Sequence, residues 1–257
     1  MILDVQNLSK TYPGGVRAVD DASFCVDAGE LVALVGESGC GKTTTLKCLN
    51  RLVEPSAGRI AFKQTDVNAY QAAELRRQIG WVMQGDGLFP HLTVAENIAV
   101  TPQLLKWDPA EISVRVAELL TLMGLSVDDH ASRYPRDLSG GQRQRVGFAR
   151  GLAAKPDLLL LDEAFGALDP ITRDRLQTDF KTLQRQLGFA AVLVTHDMAE
   201  ALTLADRILV MKDGQTIRYG TPAELLADPG SDYVTTLIET PMRQARAVAA
   251  LEGGHAR

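Results

Sequence analysis

Lys42 and Thr43 close a run of small residues, GESGCGKT, that follows the apolar LVALV and precedes TTLKCLN. Gly36, Gly39 and Gly41 carry no Cβ, so a ligand can come close to the backbone there. LVALV has the length of a strand and TTTLKCLNRL reads as a helix. The stretch from Gly36 through Glu37, Ser38, Cys40 and on to Thr44 therefore turns several N–H groups and a helix N-terminus toward one point, which suits phosphate. In a strand–GxxxxGK[ST]–helix arrangement Lys42 reaches the β- and γ-phosphates, and the Thr43 hydroxyl ligates Mg²⁺. The alternative is a plain glycine-rich turn. A second chemical signal is LLLLDEAFGALDP. Asp162 ends a buried strand and can hold Mg²⁺ through water. Glu163 can orient and deprotonate an attacking water as a general base. By themselves such acidic pairs also serve as helix caps or solvated loop charges.

These residues need a frame. ILDVQNL and the alternating AVDDASFCVD read as two antiparallel strands, and RIAFKQ as a further strand. LLLLD and AAVLVTH are continuous apolar runs, the pattern of central parallel strands. ILVMKDGQTIRYG, with Asp213-Gly214 between two arms, reads as a hairpin. In EISVRVAELLTLMG the residues Ile112, Val116, Leu119, Leu120 and Met123 fall on one helical stripe closed by Gly124. Strands thus flank a mostly helical middle, and neither an internal repeat nor a low-complexity linker interrupts them.

Composition narrows the function classes. The 257 residues, 46% of them apolar, can bury one large α/β core or a core plus a small lobe. With 27 basic against 32 acidic residues the net charge is −5, which argues against a nucleic-acid surface. No apolar run approaches the about 20 residues of a membrane span, and MILDVQNLSK lacks the pattern of a signal peptide. Cys25, Cys40 and Cys48 show no CxxC spacing, so neither a disulfide framework nor a zinc site is expected. Cys40 lies inside the phosphate loop, where a helix N-terminus can lower a thiol pKa, although a small residue that simply fits is the plainer reading.

LSGGQ, followed by RQRVGFARGLAAKP and LLLLDEAFGALD, closely resembles the signature-to-Walker-B block of ATP-binding cassette (ABC) ATPases. Seven family motifs stand in the family's order: Tyr12 in KTYPGG, the phosphate loop, Gln84 in VMQ, LSGGQ, Asp162-Glu163, Asp169 in ALD and His196 in VTHD. The resemblance covers roughly residues 2–225. It implies an α/β fold, a P-loop ABC ATPase core with an N-terminal antiparallel β-subdomain and an inserted helical subdomain. The expected division is an ATPase domain over 1–220, with core 1–84 and 155–220 and a helical part 85–154, then a tail of short helices over 221–257.

The resemblance also assigns roles. Tyr12 stacks on adenine, and Gln84 meets both Mg²⁺ and the attacking water. Ser139, Gly140, Gly141 and Gln142 meet the γ-phosphate held by another subunit. His196 contacts the γ-phosphate and the facing subunit near Asp169. Each motif occurs once in the chain, so ATP sandwiched between two copies, a two-fold homodimer, is implied. Three function classes compete: the motor of a membrane transporter, a soluble ABC ATPase of ribosome or repair type, and another P-loop enzyme such as a kinase. LSGGQ excludes the third. LFPHLTVAENIA, residues 88–99, looks like the corresponding segment of bacterial importers and is expected to line the groove for a membrane permease subunit. NIAVTPQLLKWD and YVTTLIETPMRQ resemble importers of osmoprotectants such as glycine betaine, choline or carnitine, which also use a solute-binding protein. Cassettes for ergothioneine, methionine or polar amino acids remain alternatives. A peripheral place on the cytoplasmic face of the membrane is implied. The chain is expected to lack the paired cystathionine-synthase-type (CBS) domains of several such relatives.

Overall fold

The computed structural model describes residues 1–253 except Asp86 and Ala167, with side chains as far as Arg243. Its strands are β1 (Leu3–Thr11), β2 (Arg17–Val26), β3 (Leu31–Val35), β4 (Ala57–Phe62), β5 (Thr65–Asp66), β6 (Ile79–Val82), β7 (Leu158–Asp162), β8 (Ala190–Thr195), β9 (Arg207–Lys212) and β10 (Gln215–Gly220). They join in the order β5-β4-β1-β2-β10-β9-β3-β8-β7-β6. β1 pairs antiparallel with β2 and β4, as the alternating sequences of this region predict. β9, β3, β8, β7 and β6 run parallel. β9 and β10 form the expected hairpin, with Asp213 and Gly214 both at positive φ (50° and 82°), as a tight two-residue turn requires.

The parallel strands are apolar throughout because both faces are covered. Along β3, Leu31, Ala33 and Val35 enter one apolar core and Val32 and Leu34 the other. On the first face pack α3 (Val94–Leu104), α4 (Pro109–Leu122), α6 (Gly140–Leu152) and α7 (Pro170–Leu187); on the second lies α1 (Lys42–Leu49). The remaining helices are α2 (Ala72–Gln78), α5 (Val127–His130), α8 (Met198–Leu204), α9 (Pro222–Ala227) and α10 (Asp232–Gly253).

Ile112, Val116, Leu119, Leu120 and Met123 are all buried, and Gly124 follows α4 at φ +66°. Thr93 and Glu96 form a capping box at the start of α3. The buried Asn97 holds the preceding turn to that helix: its Oδ1 accepts the Phe89 N–H at 2.8 Å, and its Nδ2 donates to the carbonyls of Phe89, Leu92 and Thr93 at 3.1, 3.1 and 2.9 Å.

The tail differs from the expected short helices. α9 is short, but α10 runs for 22 residues. Val234 and Ile238, one helical turn apart, are buried in the first core, and α10 packs against α8. Among the described residues no helix is long and apolar enough to cross a membrane.

Candidate functional site

Parallel registry gathers the chemistry. Val35 of β3 pairs with Thr195 of β8, and Asp162 of β7 pairs with Val194. The loop after β3, the acidic pair after β7 and His196 after β8 therefore emerge side by side, at the carboxyl ends of neighbouring strands.

The loop over residues 36–43 is held from behind. An ideal Cβ at Gly36 would lie 2.1 Å from the Met211 carbonyl oxygen, and one at Gly41 would lie 2.2 Å from that of Ala18. Gly41 also has φ +104°, which only glycine adopts easily. The Gly214 N–H donates to the Cys40 carbonyl at 3.2 Å. Lys42, 5% exposed, donates from Nζ to the carbonyls of Gly36 (2.7 Å) and Glu37 (2.8 Å), so its ammonium sits over the loop. The Cys40 thiol is buried 3.7 Å from that ammonium, whereas burial pushes the Cys48 thiol up to about 11.

Thr43 Oγ1 donates to Asp162 Oδ1 at 3.0 Å. Burial raises the Asp162 carboxyl above the usual carboxylate range, against the lowering effect of the Thr43 hydrogen bond and of Lys47 and Lys42. A carboxylate kept from water beside a hydroxyl is an all-oxygen donor pair suited to a hard cation, and Gln84 lines the same groove.

Glu163 has a left-handed backbone (φ 47°), unusual for a residue with a side chain, and its N–H donates to Val194 O at 3.0 Å. Phe165, two residues on, is fully buried and anchors this turn among Phe148 and Phe180, with ring centroids 5.4 and 5.7 Å away. The anchored turn aims the Glu163 carboxylate at two other sequence-predicted residues. Gln84 Nε2 donates to Oε2 at 3.0 Å, and His196 Nδ1 lies 3.7 Å from Oε1.

Other expected residues stand apart from this group. Ser139 caps α6, forming a capping box with Gln142, and the Gly141 Cβ position would lie 2.8 Å from Thr172 Cγ2 at the start of α7. Asp169 caps α7; its hydrogen bonds from Thr172 hold its carboxyl below the usual range. Among the described residues no hydrogen bond joins the LSGGQ turn to the phosphate loop. Tyr12 follows β1, half-buried, with Lys10 Nζ 5.2 Å from its ring centroid.

Sequence reasoning missed the buttress. The Glu37 N–H donates to the Tyr233 hydroxyl of α10 at 3.3 Å, and Lys212 Nζ lies 4.9 Å from that ring. The one local signal was the apolar pair Val234 and Ile238 beside Tyr233, which marks a packed helix. A groove of about 730 Å³ runs from Thr43, Gln84 and Asp162 to Met83, Phe89 and Arg76. The 88–99 segment contributes mainly Phe89 to it, because Leu88, Val94, Ile98 and Ala99 are buried in the core.

Comparison with known proteins identifies the family. A family model described as ABC transporter matches residues 19–166. The carnitine transport ATP-binding protein OpuCA of Listeria monocytogenes is 49% identical over 237 residues, 92% of this chain and 59% of that protein. The choline transport ATP-binding protein OpuBA of Bacillus subtilis is also 49% identical over 237 residues, 92% of this chain and 62% of its own length. The chain thus spans about three fifths of the length of these curated relatives. A dimeric ATP-binding cassette, MJ0796, in a post-hydrolysis state with ADP and Pi, superposes with a TM-score of 0.77 at 32% identity, covering 86% of this chain and 99% of that one. With a phosphate loop, a paired Asp162-Glu163, LSGGQ and His196 set at these positions of the fold, the chain belongs to the ATP-binding family of ABC transporters.

Proposed function

We propose that the chain is the ATP-hydrolysing subunit of a bacterial ABC importer for quaternary-amine osmoprotectants such as glycine betaine, choline or carnitine. The observation that carries the catalytic part is the position of Glu163: its carboxylate is held by Gln84 at 3.0 Å, near His196 at 3.7 Å, one residue beyond the Thr43-bonded Asp162. Lys42, Thr44 and the N–H groups from Gly36 to Thr43 hold the phosphates, and Tyr12 stacks on adenine. Thr43, Asp162 and Gln84 would hold Mg²⁺, which would supply positive charge against that of the phosphates. Glu163 accepts the proton of the attacking water while Gln84 fixes its carboxylate. His196 contacts the γ-phosphate and the facing subunit near Asp169.

Two copies assemble with each LSGGQ turn on the other's nucleotide, because Ser139 and Gln142 do not reach their own phosphate loop. ATP stabilises the closed pair to the extent that it binds that state better than the open one, and hydrolysis reopens it. The groove beside Gln84 receives a permease subunit, which places the chain peripherally on the cytoplasmic face of the membrane and links it indirectly to a solute-binding protein. We assign the core to 1–84 and 155–220 and the helical subdomain to 85–154. The osmoprotectant substrate rests on the likeness to OpuCA and OpuBA.

Glu163→Gln tests the reading. The amide keeps shape and hydrogen bonding but cannot take the proton, so hydrolysis falls at least about 100-fold while ATP still binds. Size-exclusion chromatography with ATP then yields a stable dimer. Hydrolysis at the wild-type rate removes Glu163 from its role.

A further inference from the structure

The capping box at the LSGGQ turn has a third member. Gln142 Oε1 lies 2.9 Å from the Ser139 N–H, and Ser139 Oγ accepts the Gln142 N–H at 3.3 Å. A backbone N–H only donates, so the atom facing it must be the amide oxygen, which turns the NH₂ group of Gln142 the other way. There it meets His130 Nε2 at 3.3 Å. On the opposite edge of the same ring, His130 Nδ1 lies 2.9 Å from the Ser126 carbonyl oxygen. A carbonyl only accepts, so Nδ1 carries the proton, and Nε2 is the bare acceptor that Gln142 requires. Both contacts are satisfied by one species alone: neutral imidazole with its proton on Nδ1.

We propose that His130 is a positioning residue for the LSGGQ turn, holding the Gln142 amide in its capping geometry only while the imidazole is neutral, so that protonation of Nε2 loosens the turn on which ATP-driven dimerisation depends. Protonation sets an N–H against an N–H₂. Gln142 must then either swing away or turn its oxygen to His130, and either movement opens the Ser139–Gln142 box. The ring is within reach of solvent protons, because it lines a cleft of about 520 Å³ between α5, α6 and α7. The charged groups facing it there are Arg145 of α6 and Arg175 and Asp179 of α7, while α4 contributes the uncharged Thr121 and Leu122. Arg145 is engaged by Asp179 at 3.2 Å and by the Met123 carbonyl at 2.7 Å, and the ring's own helix carries Asp128 and Asp129. None of these hydrogen-bonds to Nε2, so the contact with Gln142 decides which ring species fits.

The effect on dimerisation rests on the role proposed above for LSGGQ; the tautomer does not. Two measurements separate them. Nitrogen-15 NMR of the full chain at pH 8, with the His130 signals assigned by their loss in His130→Gln, is expected to show the Nδ1–H form. The Nε2–H form overturns the proposal. In the Glu163→Gln background, ATP-driven dimerisation is expected to be about three- to tenfold weaker at pH 6 than at pH 8, the size of one hydrogen bond lost or reversed. Adding His130→Gln, whose amide oxygen accepts at both pH values, removes most of that difference. Adding His130→Lys, a permanent donor, imposes the weak dimer at pH 8. ATP binding by each monomer checks that the variants fold. An equal pH 6 to pH 8 ratio with and without His130→Gln overturns the proposal. Absence of any ATP-driven dimer at either pH instead overturns the sandwich reading, and the NMR result then decides on His130.

Discussion

Asp162 carries two conflicting demands, and the conflict has a sign. Its folded carboxyl is raised by burial, so the folded chain holds that proton more tightly than the unfolded chain does. As pH climbs above about 4, the usual carboxylate value, the unfolded state releases the proton first and stability falls. The loss is complete once the folded carboxyl has also ionised, and it persists at neutral pH. Asp162→Asn keeps the acceptor for Thr43 Oγ1 and removes the charge. The nucleotide-free variant should therefore melt higher than wild type at pH 7.5, by about 2–4 °C if about 1 kcal/mol is relieved, and the gap should close as pH drops below 4. Hydrolysis should fall in the same variant, because the oxygen charge that suits a cation is gone. Differential scanning calorimetry across pH checks the sign: a wild-type chain more stable than the variant at pH 7.5 would show the carboxylate to be stabilising. Glu163 shows a related tension at the backbone. Its left-handed φ costs about 1–3 kcal/mol and is imposed by the bond to Val194 O and the buried Phe165.

Among the elements, α10 has the least expected part. It follows the whole sheet in sequence, yet it brings Tyr233 back to a loop formed near the start of the chain, 196 residues earlier. Val234 and Ile238 set the helix in place, and the Tyr233 hydroxyl accepts the Glu37 N–H while the ring lies beside Lys212. Tyr233→Phe removes that acceptor and keeps the ring. The KM for ATP should rise about two- to fivefold, the effect of one weak hydrogen bond, while the melting temperature and kcat stay nearly unchanged. An unchanged KM would mean that the loop is fixed by its other supports, the Met211 and Ala18 carbonyls and the Gly214 N–H. The helices over 94–152 present the opposite case, where local patterning suffices. The stripe of α4 and the capping box of α3 can be read from neighbouring residues, since each satisfies itself within a few turns.

For the molecule as a whole, the observation on which the proposed assembly rests is the separation of LSGGQ from the phosphate loop. Each chain supplies one of each; Ser139 and Gln142 bond to each other, and Gln142 reaches on to His130. Lys42→Ala should abolish most ATP binding in the monomer, because the ammonium belongs to the same chain's loop. Ser139→Ala should leave monomer binding within about twofold of wild type and weaken ATP-driven dimerisation by about tenfold, the lower end of the scale of a charge-assisted hydrogen bond. Calorimetry on the monomer and sedimentation of the Glu163→Gln background separate the two. Equal loss of monomer affinity in both variants would refute the assembly.

Strand runs, loop and acidic pair were readable in the sequence for a common reason: each depends on residues within a few positions. LVALV and LLLLD are apolar at every position because both sheet faces are covered, and GESGCGKT needs its glycines wherever the backbone is approached. Motif order also carried family membership. Tertiary structure alone decided which of those residues meet. Gln84, Glu163 and His196 touch because β6, β7 and β8 are adjacent and in register, a pairing that no local pattern encodes. It likewise decided that carbonyls from Ala18 and Met211 wall the loop, that a tail tyrosine caps a loop N–H, and that His130 meets Gln142. In each case the partner is a backbone atom or a common side chain, recognisable as a partner only once the chain has brought it within hydrogen-bonding distance.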